Sequence, residues 1–214
     1  MRASTRDRRP LADTMADTSA RRTFTETARR AQIIEAAIET IADVGYRNAS
    51  YAQIAKRAGL SSTGLISYYF RSRDELIQQI VEHVLTAIGS QMAHRLADAS
   101  SPASALRTYI EGNVEFIGAH HEEMKALLEI FLNGAFDYGP ETDQAVISPI
   151  EQILRAGQAA GEFRSFDPKV MATLVQRAVD GLPFLLAAEP DTDVAAYGAE
   201  VAMTFHLATK VNEP

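Results

Sequence analysis

The sequence predicts an all-α protein, and three observations support this fold class. Apolar residues recur at helical spacing along most of the 214-residue chain, residue types that favour helices dominate, and clear alternating runs typical of strands are missing. Short polar segments with capping signals separate the periodic stretches. We therefore expect about nine helices, arranged as an N-terminal helix-turn-helix head and a C-terminal helical bundle.

Residues 50–76 contain three helix starts in a short stretch. Ser50 with Gln53, and Ser72 with Glu75, form capping boxes, in which side chains satisfy backbone groups at a helix start. The remaining signals in the head are a first helix from Thr25 or Thr27 to Val44, stops at Gly45 and Gly59, a start at Ser61 or Ser62, and a fourth helix continuing to about Ala97. This spacing is typical of a helix-turn-helix that reads DNA.

The segment from about Ala28 to Leu85 resembles the DNA-binding domain of the TetR (tetracycline-repressor-like) family of bacterial regulators. The residues that carry the resemblance occur in the family's order and nearly with its spacing: Arg30, Ile33, Ile34, Ala37, Gly45, Tyr46, Ser50, Ile54, Ala55, Ala58, Gly59, Ser62, Gly64, Tyr69, Phe70 and Leu76. Two features differ from the family's pattern. Leu60-Ser61-Ser62 makes the turn one residue longer, and Arg73 replaces the Lys that is most common there.

The charge of the chain is unevenly distributed. Residues 1–75 carry a net charge of +4 and residues 76–214 a net charge of −11, within a total of −7. A basic head on an acidic body fits a protein whose head alone approaches DNA phosphates. Six arginines precede Phe24, so a charged tail combined with chance is the alternative explanation.

We expect three regions along the chain. Residues 1–24 lack a hydrophobic period and are expected to be a disordered basic tail, in which Met15 is an alternative start. Residues 25–85 form the DNA-binding domain, with residues 51–70 as the reading unit. Residues 86–214 form the ligand-binding and dimerisation domain.

The body is expected to be a plain helical bundle. Its predicted elements are a helix from Ser101-Pro102 through Ile117, one from His120 to Gly134, a connection over 135–147, a helix from Ser148-Pro149 to about Ala160, one from Asp167-Pro168 to about Ala188 with a kink at Pro183, and a last one from Asp191 or Asp193 to about Lys210.

The resemblance implies which residues of the head contact DNA. Those expected to face the major groove are Thr63, Gly64, Ser67 and Tyr68, and those expected to approach phosphates are Ser50, Ser62, Tyr46, Arg71 and Arg73. A glycine permits close backbone approach, hydroxyls and backbone donors attract phosphate, and arginine binds it. Any one of these residues alone could equally be a capping or solvated residue, and their joint spacing favours DNA contact.

The last two helices carry more apolar surface than a small bundle needs. Their apolar residues are Val170, Leu174, Val179, Leu182, Val194, Val201 and Phe205, and the small residues between them are Ala195, Gly198, Ala199 and Ala202. Packing both helices against a second copy would form a four-helix dimer interface. The alternative is that these stripes belong to the core of one chain.

The resemblance also implies a small-molecule cavity among helices five to eight. The candidate lining residues are Tyr109, Asn113, Phe116, Phe131, Phe136, Tyr138, Arg177 and Asp180. Asn113 and Arg177 are the stronger candidates because they interrupt apolar stripes, where an unpaired polar group is costly. Aromatic residues at helical spacing are, however, more often part of a core.

The sequence gives no positive sign of catalysis. It has no Cys, no glycine-rich phosphate loop and no nucleophile elbow. His120-His121-Glu122-Glu123 lacks the two histidines, four residues apart and flanking a Glu, that zinc proteases have. We therefore expect no catalytic residue, metal site or cofactor. The longest apolar runs are far below the roughly 20 residues of a membrane span, so we expect a cytoplasmic protein.

The expected function is a ligand-responsive transcriptional regulator, acting as a repressor. It should bind a near-palindromic operator as a homodimer and be released by a small molecule. The competing hypothesis is a helical small-molecule-binding protein or enzyme without specific DNA binding. The sequence alone does not indicate the effector, the operator sequence or the target genes.

Overall fold

The computed structural model describes residues 11–137 and 139–211. In this part of the chain ten helical segments follow one another: α1 (Leu11–Val44), α2 (Tyr51–Arg57), α3 (Gly64–Tyr69), α4 (Arg73–Ala97), α5 (Pro102–Ala119), α6 (His121–Leu132), α7 (Pro140–Ala159), α8 (Pro168–Asp180), α9 (Leu182–Ala188) and α10 (Val194–Thr209). The α8 and α9 segments are the two parts of one helix that the sequence predicts to be kinked. The expected all-α fold of about nine helices is therefore confirmed.

Helices α1 to α4 pack around a shared apolar core in the head. Ile33, Ile66 and Ile80 are fully buried there, together with Phe70. The predicted capping box at Ser50 is present, since the Ser50 hydroxyl accepts the Gln53 N–H and the Gln53 side chain accepts the Ser50 N–H. Gly45 and Gly59 adopt the expected positive φ values of 80° and 62°.

The start of α4 differs from the predicted capping box. The Ser72 hydroxyl accepts the Glu75 N–H at 3.1 Å, but the Glu75 carboxylate accepts the N–H of Arg71 at 2.8 Å instead of returning to Ser72. This bond lowers the pKa of the Glu75 carboxyl. Arg30 of α1 also forms a salt bridge with Glu75. This carboxylate of α4 therefore connects α4 with α1 and with the segment between α3 and α4.

The start of α3 lies later than predicted. Thr63, rather than Ser61 or Ser62, precedes the first helical residue, and its side chain makes no capping bond. Thr63 already has helical dihedral angles of −65° and −23°, which leave its hydroxyl outside the usual capping position. The chain enters α3 through backbone bonds to the Ser62 and Thr63 carbonyls.

Helix α1 begins at Leu11 instead of Thr25 or Thr27. The predicted disorder of the tail is therefore wrong for residues 11–24, while residues 1–10 lie outside the described chain. Residues 11–44 contain neither Gly nor Pro and are rich in Ala, so nothing local interrupts a helix that the head already stabilises at its C-terminal end.

Helix α7 replaces most of the connection predicted over residues 135–147. It begins at Pro140, after Gly139, and continues through Pro149 instead of starting there. An internal proline costs about 3 kcal/mol. Ile147 and Ile150 are both buried beside it, and each contributes roughly 1.5–3 kcal/mol by burial. Burial on both sides of Pro149 therefore offsets the lost backbone bond.

The kink predicted at Pro183 is a break at Gly181. Pro183 lies in the first turn of α9, where its missing N–H costs nothing.

By length and composition, residues 168–188 form one segment apolar enough to cross a membrane, whereas the sequence analysis expected all apolar runs to be too short. This segment is interrupted at Gly181 and carries Arg177 and Asp180 on its cavity side, as expected for a bundle helix.

Helix α5 lies at the centre of the body and packs on α4, α7 and α10. A side chain at Gly198 of α10 would meet Val114 of α5, so this glycine lets two helices of one chain approach. Ala202 is buried on the same side. These two small residues therefore serve the core of the chain and not an outer face.

The predicted dimer stripes divide into two sets. Val179, Leu182 and Phe205 are buried within the chain, whereas Val170 and Leu174 are more than half exposed. Val194 and Val201 are half-buried, and Ala195 and Ala199 are exposed. Met203 and Leu207 of α10 are also exposed and were not among the predicted residues. The prediction was therefore wrong for the first set, because Val179 and Leu182 belong to one apolar core cluster of the chain and Phe205 belongs to another.

Candidate DNA interface and effector cavity

Helix α3 exposes one face and buries the other. Thr63, Gly64, Ser67 and Tyr68 are exposed, while Ile66 is fully buried. Tyr68 is the most prominent of them, since 78% of its surface is accessible and its ring meets the edge of Tyr69 at 5.0 Å between centroids. A short helix with three small or polar residues and one aromatic residue on its outer face has the shape and chemistry to enter a major groove.

The serines and one arginine flank that face. Ser50 is exposed at the start of α2, where its hydroxyl is already bonded to Gln53. Ser62 is exposed just before α3, and Arg71 is exposed between α3 and α4. These three positions remain accessible to a phosphate backbone.

Arg73 and Tyr46 make contacts inside the head. The Arg73 guanidinium donates to the backbone carbonyls of Ala49 at 2.9 Å and Tyr46 at 2.7 Å. It also lies over the Tyr46 ring, 4.7 Å from its centre. Arg73 therefore links α4 to the segment between α1 and α2. This structural role is additional to the phosphate contact that the resemblance implies.

Arg30 is a second residue that links helices of the head to one another. Its guanidinium donates to the Tyr69 carbonyl at the end of α3, pairs with Glu75 at 3.4 Å and lies 4.4 Å from the centre of the Phe70 ring. The sequence marks Arg30 only through the family resemblance. Its long-range partners could not be read from local spacing.

We expect Arg71→Ala and Arg73→Ala to differ in kind. Arg71→Ala should reduce the slope of the logarithm of the operator-binding constant against the logarithm of salt concentration by roughly one, and it should leave stability unchanged. Arg73→Ala should lower the free energy of unfolding by roughly 1–3 kcal/mol, because it removes charged hydrogen bonds and a cation–π contact. Salt titration of binding and urea denaturation measure the two effects. Equal stability of the two variants would contradict the role given to Arg73, and Arg155→Ala in the body is the control.

A partly enclosed cavity of about 850 Å³ lies in the body. It is lined by residues from α4 to α9, which are Leu85, Ile88, Gly89, Met92, Ala93, Leu96, Tyr109, Asn113, Phe116, Ile117, Met124, Leu127, Leu128, Phe131, Phe136, Thr142, Ala145, Val146, Pro149, Gln176, Arg177, Val179, Asp180, Pro183 and Phe184. The candidates Tyr109, Asn113, Phe116, Phe131 and Arg177 all line this one cavity, as do Phe136 and Asp180. Tyr138 lies outside the described residues.

The polar wall of the cavity is a connected network. The Tyr109 hydroxyl donates to Gln176 at 2.9 Å, and the Gln176 amide donates to Asp180 at 2.7 Å. Arg177 donates to Asp180 and to Asp143 of α7. Asn113 donates to the Tyr109 carbonyl of its own helix. Asn113 and Arg177 therefore already have partners, and the argument that selected them from the sequence does not by itself require a ligand.

Asp180 is the partly buried acid of this wall. Burial raises the pKa of its carboxyl above the ordinary value, and the bond from Gln176 and the charge of Arg177 oppose the rise only in part. Because the folded protein then binds the proton more tightly than the unfolded chain, stability falls as the pH rises from the ordinary pKa to the raised one. At higher pH the protein keeps a partly desolvated negative charge at a cost.

Gln176 was missed by the sequence analysis, as were the α4 residues and the individual α7 residues that line the cavity. Gln176 is a buried polar residue on the otherwise apolar face of α8, and that interruption was a signal in the sequence. Thr142, Ala145 and Val146 of α7 were missed because residues 135–147 were predicted as a connection.

Helix α6 connects the cavity with the head. Met124, Leu127, Leu128 and Phe131 line the cavity, while Glu129 accepts the backbone N–H of Tyr46 at 3.0 Å. At the end of the same helix, Asn133 accepts a hydrogen bond from Arg47 at 2.7 Å. A shift of α6 on the cavity side would therefore reach the turn after α1.

The exposed α3 helix, supported by α2 through a tight turn and placed on a separate helical body, defines a helix-turn-helix DNA-binding protein. The sequence profile described as "Bacterial regulatory proteins, tetR family" matches residues 33–80. An HTH-type transcriptional regulator BetI from Yersinia pestis is 30% identical over 156 residues, which are 72% of this chain and 76% of the relative. The chain belongs to the TetR family of bacterial transcriptional regulators.

Other similarities cover part of the sequence or the fold alone. BetI 1 from Chromohalobacter salexigens is 41% identical over 101 residues, which are 47% of this chain and 50% of the relative. A proposed regulator from Saccharomonospora viridis, solved with choline, matches 87% of this chain and 100% of its own at a TM-score of 0.75 and 20% identity. FadR from Bacillus subtilis, solved with stearoyl-CoA, matches 80% of this chain and 95% of its own at a TM-score of 0.69 and 22% identity. These structures support the fold.

Proposed function

We propose that this regulator is a homodimeric, ligand-responsive repressor. It binds an inverted-repeat operator through the exposed face of α3 and leaves the operator when a small molecule occupies the cavity. The observation that carries the proposal is the arrangement of α6, which lines the cavity on one face and bonds to the DNA-binding head on the other. Membership of a transcription-factor family supports the DNA-binding part.

The dimer surface is the exposed apolar stripe of α8 and α10. Val170 and Leu174 recur one turn apart on α8, and Met203 and Leu207 do so on α10, each with about half its surface accessible. Two helices with such stripes bury them when they pack on the same pair of a second copy. A twofold dimer then presents two copies of α3 to successive major grooves, roughly 34–36 Å apart.

The effector binds in the cavity of about 850 Å³. Choline and stearoyl-CoA, which two fold neighbours contain, differ widely in size and charge, so fold similarity alone does not select between them. Choline is far smaller than this cavity. We propose a cytoplasmic protein, since operator DNA is its partner.

Selection from random duplexes tests the proposal. Purified protein should enrich an inverted repeat and bind it with a Kd on the order of 10⁻⁸ M or tighter, with a steep inverse dependence on salt. Failure to enrich any inverted repeat would favour the competing hypothesis of a helical small-molecule-binding protein or enzyme without specific DNA binding.

A further inference from the structure

The polar wall of the cavity has an excess of negative charge. Asp180 and Arg177 line the cavity, and Asp143 lies behind Arg177. Arg177 pairs with both carboxylates, so one positive charge faces two negative ones. The other residues that line the cavity carry no formal charge. The lining alone is balanced in charge, and with Asp143 included this wall carries one net negative charge when both acids are ionised.

The hydrogen bonds of this wall converge on Asp180. The amide of Gln176 donates to one of its oxygens and Arg177 donates to the other. A carboxylate offers about four acceptor positions, so these two bonds leave it able to accept more. A ligand group that donates hydrogen bonds or carries positive charge is attracted to such a wall, whereas an anion is repelled.

The remainder of the cavity is apolar and large. Its aromatic rings belong to Tyr109, Phe116, Phe131, Phe136 and Phe184. Aromatic faces attract cations, and the flexible side chains of Met92 and Met124 adapt to irregular apolar shapes. The volume of about 850 Å³ is in the upper part of the range for drug-sized ligands and exceeds what a small ion fills.

We propose that the effector is a cationic amphiphile. Its amine or quaternary ammonium group is held beside Asp180, and its long apolar body fills the aromatic and aliphatic remainder of the cavity. The inference rests on the proposed function, because it takes the cavity as the effector site. It predicts weaker binding of fatty acids, since their negative end would compete with Asp143 and Asp180 for Arg177 or lie unpaired among apolar side chains.

Calorimetric titration of the full-length protein tests this inference with four probes below their micellar concentrations. They are decyltrimethylammonium, decanoate, decanol and tetramethylammonium. We expect decyltrimethylammonium to bind at least about tenfold more tightly than decanoate, because of charge, and than tetramethylammonium, because of apolar burial. Asp180→Asn should bring the ammonium and carboxylate affinities close together and leave decanol unchanged. Asp180→Glu, which keeps the charge, should retain the preference.

Asp191→Asn makes the same chemical change at an exposed residue away from the cavity lining and is the control. Wild-type titrations decide the matter even if Asp180→Asn does not fold. Any of three results overturns the inference. Decanoate binds as tightly as decyltrimethylammonium, tetramethylammonium binds as tightly as decyltrimethylammonium, or decyltrimethylammonium does not bind. Operator binding is measured separately without probes. A protein that binds its operator but prefers decanoate retains the proposed function, and one that binds no operator loses it.

Discussion

Ile66→Ala should lower the free energy of unfolding by about 2–5 kcal/mol and abolish operator binding at physiological salt. Ile66 is fully buried and belongs to the same apolar core as Phe70 and Ile33. Helix α3 has six residues, too few for an independent helix, so its position depends on this anchor. Urea denaturation followed by circular dichroism measures the stability, and a gel shift measures the binding.

Two variants separate anchoring from reading. Ile66→Val should cost only about 0.5–1.5 kcal/mol and keep binding. Tyr68→Ala, on the exposed face of the same helix, should leave stability within about 0.5 kcal/mol and weaken specific binding by roughly 1–3 kcal/mol. Loss of stability in Tyr68→Ala that matches the loss in Ile66→Ala would show that the two faces of α3 have been assigned wrongly.

Glu129→Ala should reduce the mutual antagonism between effector and operator severalfold. A ligand that releases DNA must bind the DNA-incompetent arrangement more tightly, and the two affinities then fall by the same factor, typically 5- to 150-fold. Glu129 accepts the Tyr46 N–H at 3.0 Å and its carboxylate lies against Gly45, so its loss weakens the connection of α6 with the head and leaves the Arg47–Asn133 bond in place. Calorimetry of the effector, with and without operator, measures the factor.

Glu122→Ala on the exposed side of the same helix is the control and should leave the factor unchanged. An unchanged factor in Glu129→Ala would leave the Arg47–Asn133 bond and helix α4 as the remaining direct connections between cavity and head. Softening α4 with glycine requires exposed positions such as Ala87, because Ala93 lines the cavity and its replacement would alter the binding site itself. Equal affinity of a ligand for free and DNA-bound protein would show that it is not the effector.

The sequence by itself determined the features that depend on near neighbours. Ser50 caps α2, Asp167 caps α8 and Gly161 ends α7 with a φ of 73°, because each of these groups finds its partners within a few residues. The apolar period and the family motif likewise located the head, α4 and the candidate lining residues. Local chemistry and helical periodicity act at short range, so they are legible in one chain.

Only the tertiary structure decided which apolar and polar groups meet. Continuation of α7 through Pro149 depends on burial against other helices, and the burial of Phe205 depends on how α10 approaches α5. Arg73 and Glu129 find partners in segments distant in sequence. These contacts make them residues that link helices to other segments, and not only charges at the surface. A helical pattern shows that a side chain shares a face with others, but the packing of the whole chain determines whether that face meets its own core, a cavity or solvent.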